Sequence, residues 1–287
     1  MNAARRLIRF ALPLLCALCA VAAVACLCFI LGVLLVNGVS SVDWAFLTSE
    51  TREGGAAGGI AYQILGTLLL VATALATAIP PALALALLRV VYLDRRPTAA
   101  HLIDSLLHGL NGLPSIVVGI TGLIVFVHWF DWGRSWLAGG LLLGLMILPT
   151  LTLALLERLA AVPTQQIEAA MGLGLSRQQI IRSVWLPQSW TGLLTGSLLG
   201  LARAAGETAP ILFVAVVFAG VTLPEGIRDN PVLALPYHIF VLAQDSVNPD
   251  ARANLWGAAL VLVGLVALLN LVALPFRLRA HDAARHE

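Results

Sequence analysis

The chain contains no lysine: all 17 of its basic residues are arginine. Charge of either sign is scarce, 11% of 287 residues, and it never runs in blocks. This excludes a nucleic-acid surface and a solvated acidic tail, and the shortage of polar sequence excludes extended disorder. No Gly-x4-Gly-Lys-Ser/Thr is present, so the chain carries no phosphate-cradling loop for ATP of its own. Gly-x-Ser-x-Gly and His-Glu-x-x-His are also missing, and His101, His108 and His128 pair with no placed serine or carboxylate in a known spacing. An intramembrane enzyme, such as a protease or lipid transferase, is left without a nucleophile, base or metal set. Only four cysteines occur, Cys16, Cys19, Cys26 and Cys28, all in the first apolar run. Cys16 and Cys19 have C-x-x-C spacing but no second pair or histidine near them, so they read as small buried hydrophobes.

What the chain does have is apolar sequence: 60% of residues, with a mean hydropathy of +0.93. Six stretches, roughly 10–36, 61–88, 105–130, 136–156, 189–220 and 254–276, are each long enough to cross a bilayer core. With the amino terminus inside, the inner segments hold Arg5, Arg6, Arg9, Arg89, Arg95, Arg96, Arg158, Arg177, Arg182, Arg277, Arg279 and Arg285. The outer segments hold only Arg52, Arg134, Arg228 and Arg252, and Arg203 falls within a span. Twelve against four places both termini, and the long insertion 157–188, in the cytoplasm. Ala23-Val24-Ala25-Cys26 faintly resembles a lipoprotein cleavage site, but the apolar run continues to Val36, which argues for a retained first span.

The chain divides into a first span with an extracytoplasmic segment (1–60), a transmembrane domain (61–277) and a cytoplasmic tail (278–287). No extramembrane segment is long enough to build a core of its own. Gly54-Gly55-Ala56-Ala57-Gly58-Gly59 reads as a flexible entry to the second span. Pro80 and Pro81 are expected to bend or break that span. Asn111-Gly112-Leu113-Pro114-Ser115 is either a discontinuity inside the third span or a helix start at Pro114 near the interface. In the proline-punctuated segment 221–253, Leu235 to Phe240 reads as a short interfacial or re-entrant helix.

The insertion 157–188 is more elaborate than a turn requires. Pro163 and Thr164 open a short helix holding Ile167, Ala169, Ala170 and Met171. Gly172 and Gly174 flank a joint where glycine permits a tight turn and close backbone approach. Ser176 and Gln179 form a capping box for a second helix, with Ile180, Ile181, Val184 and Trp185 as its apolar stripe and Pro187 at its end. A membrane-hugging amphipathic loop would also look like this. The fixed spacing is more specific: Glu168-Ala169-Ala170, Gly174 six positions after the glutamate, then Val184 and Leu186-Pro187. It resembles the EAA motif of ABC-importer membrane subunits, EAA-x3-G-x9-I-x-LP, with valine in place of isoleucine. In that family the loop docks on a cytoplasmic ATPase, so the resemblance implies ATPase-docking roles for Glu168, Ala169, Ala170, Gly172, Gly174 and Ser176.

Arg203 and Glu207 fall near the middle of the fifth span. Each charge at that depth costs about 2.5–3.5 kcal/mol on the insertion scale. At i and i+4 they can neutralise each other on one helix face, although arginine before glutamate is the weaker order. An internal ion pair is one reading; an arginine facing an anion path, held by the glutamate, is the other. Gly192, Gly196, Gly200 and Ala204 form a small-residue packing seam, and the Arg203–Glu207 face lies about 100° from it. Arginine suits any oxyanion through its planar, bidentate fork, so phosphate, sulfate and molybdate are equal on that ground.

The string Ala202-Arg203-Ala204-Ala205-Gly206-Glu207-Thr208-Ala209-Pro210 resembles the signature of PstA-type permeases of phosphate importers. Gly112 to Gly119, Gly58 to Ala61 with Gly66 to Leu69, and Pro236 to Phe240 resemble segments of the same family, and the likeness covers about 55–277. It implies an all-α membrane protein with the six-helix type I ABC importer permease fold in a bacterial inner membrane. It also implies, as partners, a second unlike permease, two ATPase subunits carrying ATP and magnesium, and a periplasmic phosphate-binding protein. Complexes of this family often signal to a phosphate-sensing kinase system as well. Arg203 with Glu207 is the implied contact for phosphate, and the chain itself is implied to bind no cofactor. A permease for another oxyanion (sulfate, molybdate or phosphonate) would share the loop but not the 202–210 string.

Overall fold

Apolar chain in hydrocarbon must satisfy its backbone internally, and the residues here do so almost entirely as helix. The computed structural model describes residues 2–93, 96–218, 220, 223–228, 230–245 and 248–286, with backbone alone for 2–11, 273 and 276–286. Arg95 therefore lies outside the described residues, and Arg5, Arg6, Arg9, Arg277, Arg279 and Arg285 are described by backbone only. The elements begin with α1 (Asn2–Gly38), a short α2 (Trp44–Thr48) and a two-stranded antiparallel hairpin, β1 (Thr51–Arg52) and β2 (Ala57–Gly58). Then come α3 (Ala61–Leu87), α4 (Pro97–Asn111), α5 (Ser115–Gly122) and α6 (Trp136–Ala160). The second half holds α7 (Thr164–Gly172), α8 (Arg177–Ile180), α9 (Leu186–Gly206), α10 (Ala209–Val214), α11 (Leu235–Gln244) and α12 (Pro249–His286). Wider π-helical turns extend α3 through Leu88–Tyr92 and α5 through Leu123–Trp129, and join α8 to α9 through Ile181–Trp185.

Among the described residues, four helices are long and apolar enough to cross a membrane: Leu12–Ser41, Ala61–Tyr92, Trp136–Ala160 and Pro249–Val272. A fifth span exists if Pro97–Asn111 and Ser115–Trp129, bent by 94° at their break, count together. The expected third span is thus broken at residues 112–114, and Pro114 also opens the helix that follows the break. The expected fifth span, 189–220, is not one helix. It ends at Gly206, because Pro210 has no N–H and its ring would clash with the carbonyl four residues earlier, that of Gly206. Just beyond α10, Val216 bridges to Val232 in parallel.

The core is three helices deep. On α3, Ala74, Ala78, Ala82 and Ala86 recur every four residues and are all buried to 1% exposure or less. They give α6 a smooth flank, and Gly140 and Gly144 of α6 accept the side chains of Thr73 and Thr77. Further along α6, Ile147, Leu151, Leu155 and Leu159 form a fully buried ridge. The glycines of α9 receive it: an added Cβ would lie 2.8 Å from Arg158 Cβ at Gly192, 3.2 Å from Leu151 Cα at Gly196 and 3.4 Å from Ile147 Cβ at Gly200. Where lipid tails are as apolar as leucine, such close packing and the dispersion it yields hold helices together.

Three local expectations are corrected. Pro80 and Pro81 do not break the second span: α3 runs through both, held by the buried alanine stripe on either side of them. The glycine-rich 54–59 stretch is not a loose entry but the built hairpin, with Gly55 buried and its carbonyl accepting from Asn254 Nδ2 at 2.9 Å. Its turn needs positive φ, which Gly54, Gly55 and Gly58 supply at 60°, 87° and 81°. The cysteines are exposed rather than buried. Helix α1 lies along the outside, packed on α12 where Gly38 meets Trp256 and Leu260, so its cysteines face the surroundings.

Candidate functional site

Two features of the structure carry chemistry: the α7–α8 turn and the end of α9. Helix α7 ends in a Schellman motif, with Leu175 N donating to Ala170 O (3.2 Å) and Gly174 N to Met171 O (2.9 Å). Gly174 sits at φ 77°, which any other L residue adopts only with strain. The capping box then opens α8: Gln179 N donates to Ser176 Oγ and Ser176 N to Gln179 Oε1. Below the turn, Ile180 and Trp185 are buried, and Ile181 and Val184 pack on the same core. The Arg177 guanidinium stands 5.2 Å from the centre of the Tyr92 ring, tying the turn to the end of the α3 extension.

The EAA residues do not all face the same way. Glu168, Ala169, Gly172, Gly174 and Ser176 are exposed, as are Met171 (55%) and Leu173 (81%). Ala170 is 6% exposed and belongs to the core, so it seats α7 on the bundle and presents nothing outward. A Cβ added at Gly172 or Gly174 would meet nothing within 4 Å. The glycine at 174 is therefore required by backbone conformation; no close approach within this chain requires it.

At the end of α9, Arg203 lies in the last helical turn, where the macrodipole is negative and favours a cation. Glu207 is already outside the helix, with extended backbone (φ −76°, ψ 126°). The two are therefore not a helical i,i+4 pair along one face, as the sequence implied. The carboxylate reaches back from the break, and Arg203 Nε stands 3.6 Å from Glu207 Oε1, a distance for an ion pair rather than a hydrogen bond. With side chains 30% and 19% exposed, the pair contributes little to stability. Ala204 is buried with Gly192, Gly196 and Gly200, so Arg203 does lie off the packed face of α9.

The stronger partners of Arg203 were not evident from the sequence. Its Nη1 donates to Asn111 Oδ1 at 2.6 Å and to Thr150 Oγ1 at 3.3 Å, and Thr150 Oγ1 donates to Asn111 Oδ1 at 3.2 Å. Asn111 is the last residue of α4, at the 94° corner, and Thr150 follows Pro149 on α6. Arg203 also lines a small cleft whose other walls are apolar: Leu110, Leu113, Val118, Leu145 and Met146. The signal for Asn111 was present as an amide in an apolar run beside Gly-Leu-Pro; only the fold brings it to a residue 92 positions away.

A second polar cluster is buried. Gln63 of α3 donates to Thr51 of the hairpin, and its Nε2 lies 3.5 Å from His238 Nδ1 of α11. His238 stacks on Phe218 at 5.8 Å, and Thr67 Oγ1 accepts from Leu235 N at 2.9 Å. Burial pushes the His238 imidazole down from its ordinary value to about 4.

Residues 82–278 match the family of binding-protein-dependent transport system inner membrane components. A curated relative, the phosphate transport system permease protein PstA 2 of Mycobacterium bovis, is 34% identical over 231 residues, 79% of this chain and 73% of that protein. A probable ABC transporter permease, YqgI of Bacillus subtilis, is 29% identical over 254 residues, 84% of this chain and 85% of that protein. Among solved structures, the inward-facing MetNI methionine ABC transporter superposes with a TM-score of 0.57 at 14% identity, covering 76% of this chain and 96% of that one. At that identity the likeness concerns the fold, which is that of type I ABC importer permeases.

Proposed function

The chain belongs to the family of binding-protein-dependent transport system inner membrane components and is a multi-pass permease subunit of an ABC importer; from that premise we propose that its cargo is inorganic phosphate. In this reading the chain forms half of the translocation path and a second, unlike permease subunit forms the other half. Of two ATPase subunits, which carry ATP and magnesium, one docks on the exposed side of the α7–α8 turn at Glu168, Ala169, Gly172, Gly174 and Ser176. A periplasmic phosphate-binding protein delivers the anion from the opposite side. The arginine bias supports an inner-membrane orientation with both termini and the α7–α8 turn in the cytoplasm. A phosphate-sensing kinase system is a further partner in this reading.

The observation that carries the cargo assignment is Arg203: a guanidinium at the end of a broken span, lining a cleft that is otherwise apolar. Where neighbouring walls exclude water, a planar guanidinium offers an oxyanion charge-assisted hydrogen bonds at little reorganisation cost. Glu207 keeps the site close to neutral when no anion is present. The similarity to relatives named as phosphate permeases supports phosphate over other oxyanions.

Reconstitution of the chain with its two kinds of partner subunit in proteoliposomes, with the binding protein added, tests the reading. The expected result is phosphate-stimulated ATP hydrolysis with vectorial phosphate uptake and no response to sulfate. Uptake of sulfate or molybdate without phosphate would overturn the cargo, and ATPase subunits that bind equally after the α7–α8 turn is replaced would overturn the docking site.

A further inference from the structure

We infer that Asn111 and Thr150 are positioning residues for Arg203: they hold its guanidinium from two other helices, so that one free edge faces the cleft. The inference rests on the proposed role of Arg203 in an anion path. A free arginine carries five N–H donors on a flexible stem, and fixing it costs rotamer entropy. Here that freedom is taken up before any anion arrives. Nη1 donates to Asn111 Oδ1 at 2.6 Å and to Thr150 Oγ1 at 3.3 Å, and Nε stands 3.6 Å from Glu207 Oε1. Among the described residues Nη2 has no hydrogen-bond partner, and it is the donor pair left for a ligand.

The Thr150 hydroxyl donates to the same Asn111 oxygen, so the three side chains close a triangle across α4, α6 and α9. Asn111 Oδ1 thus accepts twice, from Arg203 Nη1 and from Thr150 Oγ1. The triangle also gives the broken span a reason to break there. A continuous helix through 112–114 would carry the end of α4 onward along one axis, whereas the 94° corner leaves Asn111 at an exposed helix end.

The test uses the assembled complex with four single variants, Asn111→Leu, Thr150→Val, Thr150→Ser and Arg203→Lys, and the double variant Asn111→Leu with Arg203→Lys. Uptake of labelled phosphate, sulfate and molybdate is measured, together with the rate at which phenylglyoxal modifies Arg203, read by mass spectrometry. A positioning role predicts that Asn111→Leu lowers the maximal uptake rate about tenfold to a hundredfold while the half-saturating concentration stays within about twofold. Thr150→Val should act in the same direction and Thr150→Ser should stay near the parent rate. The double variant should be no slower than Arg203→Lys alone, because the two act as one unit. Phenylglyoxal should modify Arg203 several-fold faster once Asn111 is removed. Uptake near the parent rate, multiplicative losses in the double variant, or unaltered Arg203 labelling would overturn the inference. A complex that moves sulfate or molybdate in place of phosphate would sink the cargo reading, while the dependence of that uptake and of the labelling on Asn111 would still decide this one.

Discussion

The two polar clusters differ in what they leave unspent. The Gln63–His238 cluster is made of neutral groups, with Gln63 1% and His238 2% exposed, and among the described residues Gln63 Oε1 is the one fully buried side-chain atom without a hydrogen-bond partner. The Arg203 cluster carries charge, is partly open and lines a cleft, and its Nη2 has no hydrogen-bond partner among the described residues. The buried cluster stitches the hairpin, α3 and α11 into one unit, so its loss should appear as lost stability. The open one adds little to stability, so its loss should appear as lost transport. Burial and pairing, rather than residue type, separate scaffold from site.

The largest expected effect is at the open cluster. Arg203→Ala should abolish phosphate uptake, by at least a hundredfold, while the thermal midpoint of the purified complex stays within a few degrees; a large loss of stability would erase the contrast. Next is the pH response of the buried cluster. His238 titrates near 4 in the folded chain and near 6.5 when unfolded, so the unfolded state binds more protons between those values. Its stabilisation is present in full above about pH 6.5 and is lost as pH falls toward 4, a change on the order of 3 kcal/mol. Thermal melts across that range should show the loss, and His238→Gln should flatten it.

Gly196→Leu would push a side chain into the Leu151 backbone and should cost about 1–3 kcal/mol, measured as a lower melting midpoint. The smallest effect is expected at the α7–α8 turn. Gly174→Ala forces an L residue to φ 77°, at about 1 kcal/mol, and Gly174→Asn should cost less. The docking reading adds that coupled ATP hydrolysis falls further in Gly174→Ala than this local strain accounts for, and a comparison of ATPase rate with melting midpoint checks it.

The elements legible in advance were those set by neighbours in sequence. The capping box at Ser176, the helix start at Pro163 and the turn at Gly174 are local hydrogen-bond and dihedral constraints, and the structure has each where the residue types call for it. The break at Gly206 was also written locally, in Pro210 four residues on, but the apolar run around it masked the signal. Pro80 and Pro81 erred the other way: the rule that proline ends helices yielded to packing along an alanine flank that composition alone does not display. The outward face of α1 was out of reach for the same reason, since hydropathy is equal on a lipid-facing and a buried helix.

By itself the sequence determined that this is a membrane chain of helices and that one insertion carries a capped turn. These follow from transfer free energy and from interactions reaching no further than about four residues. Tertiary structure alone decided that Ala170 faces in while Glu168 faces out, and that Asn111 and Thr150 meet Arg203. Those contacts join residues tens of positions apart, and their geometry depends on how helices with small-residue faces settle against one another. No local pattern in the chain encodes the angle at which they do so.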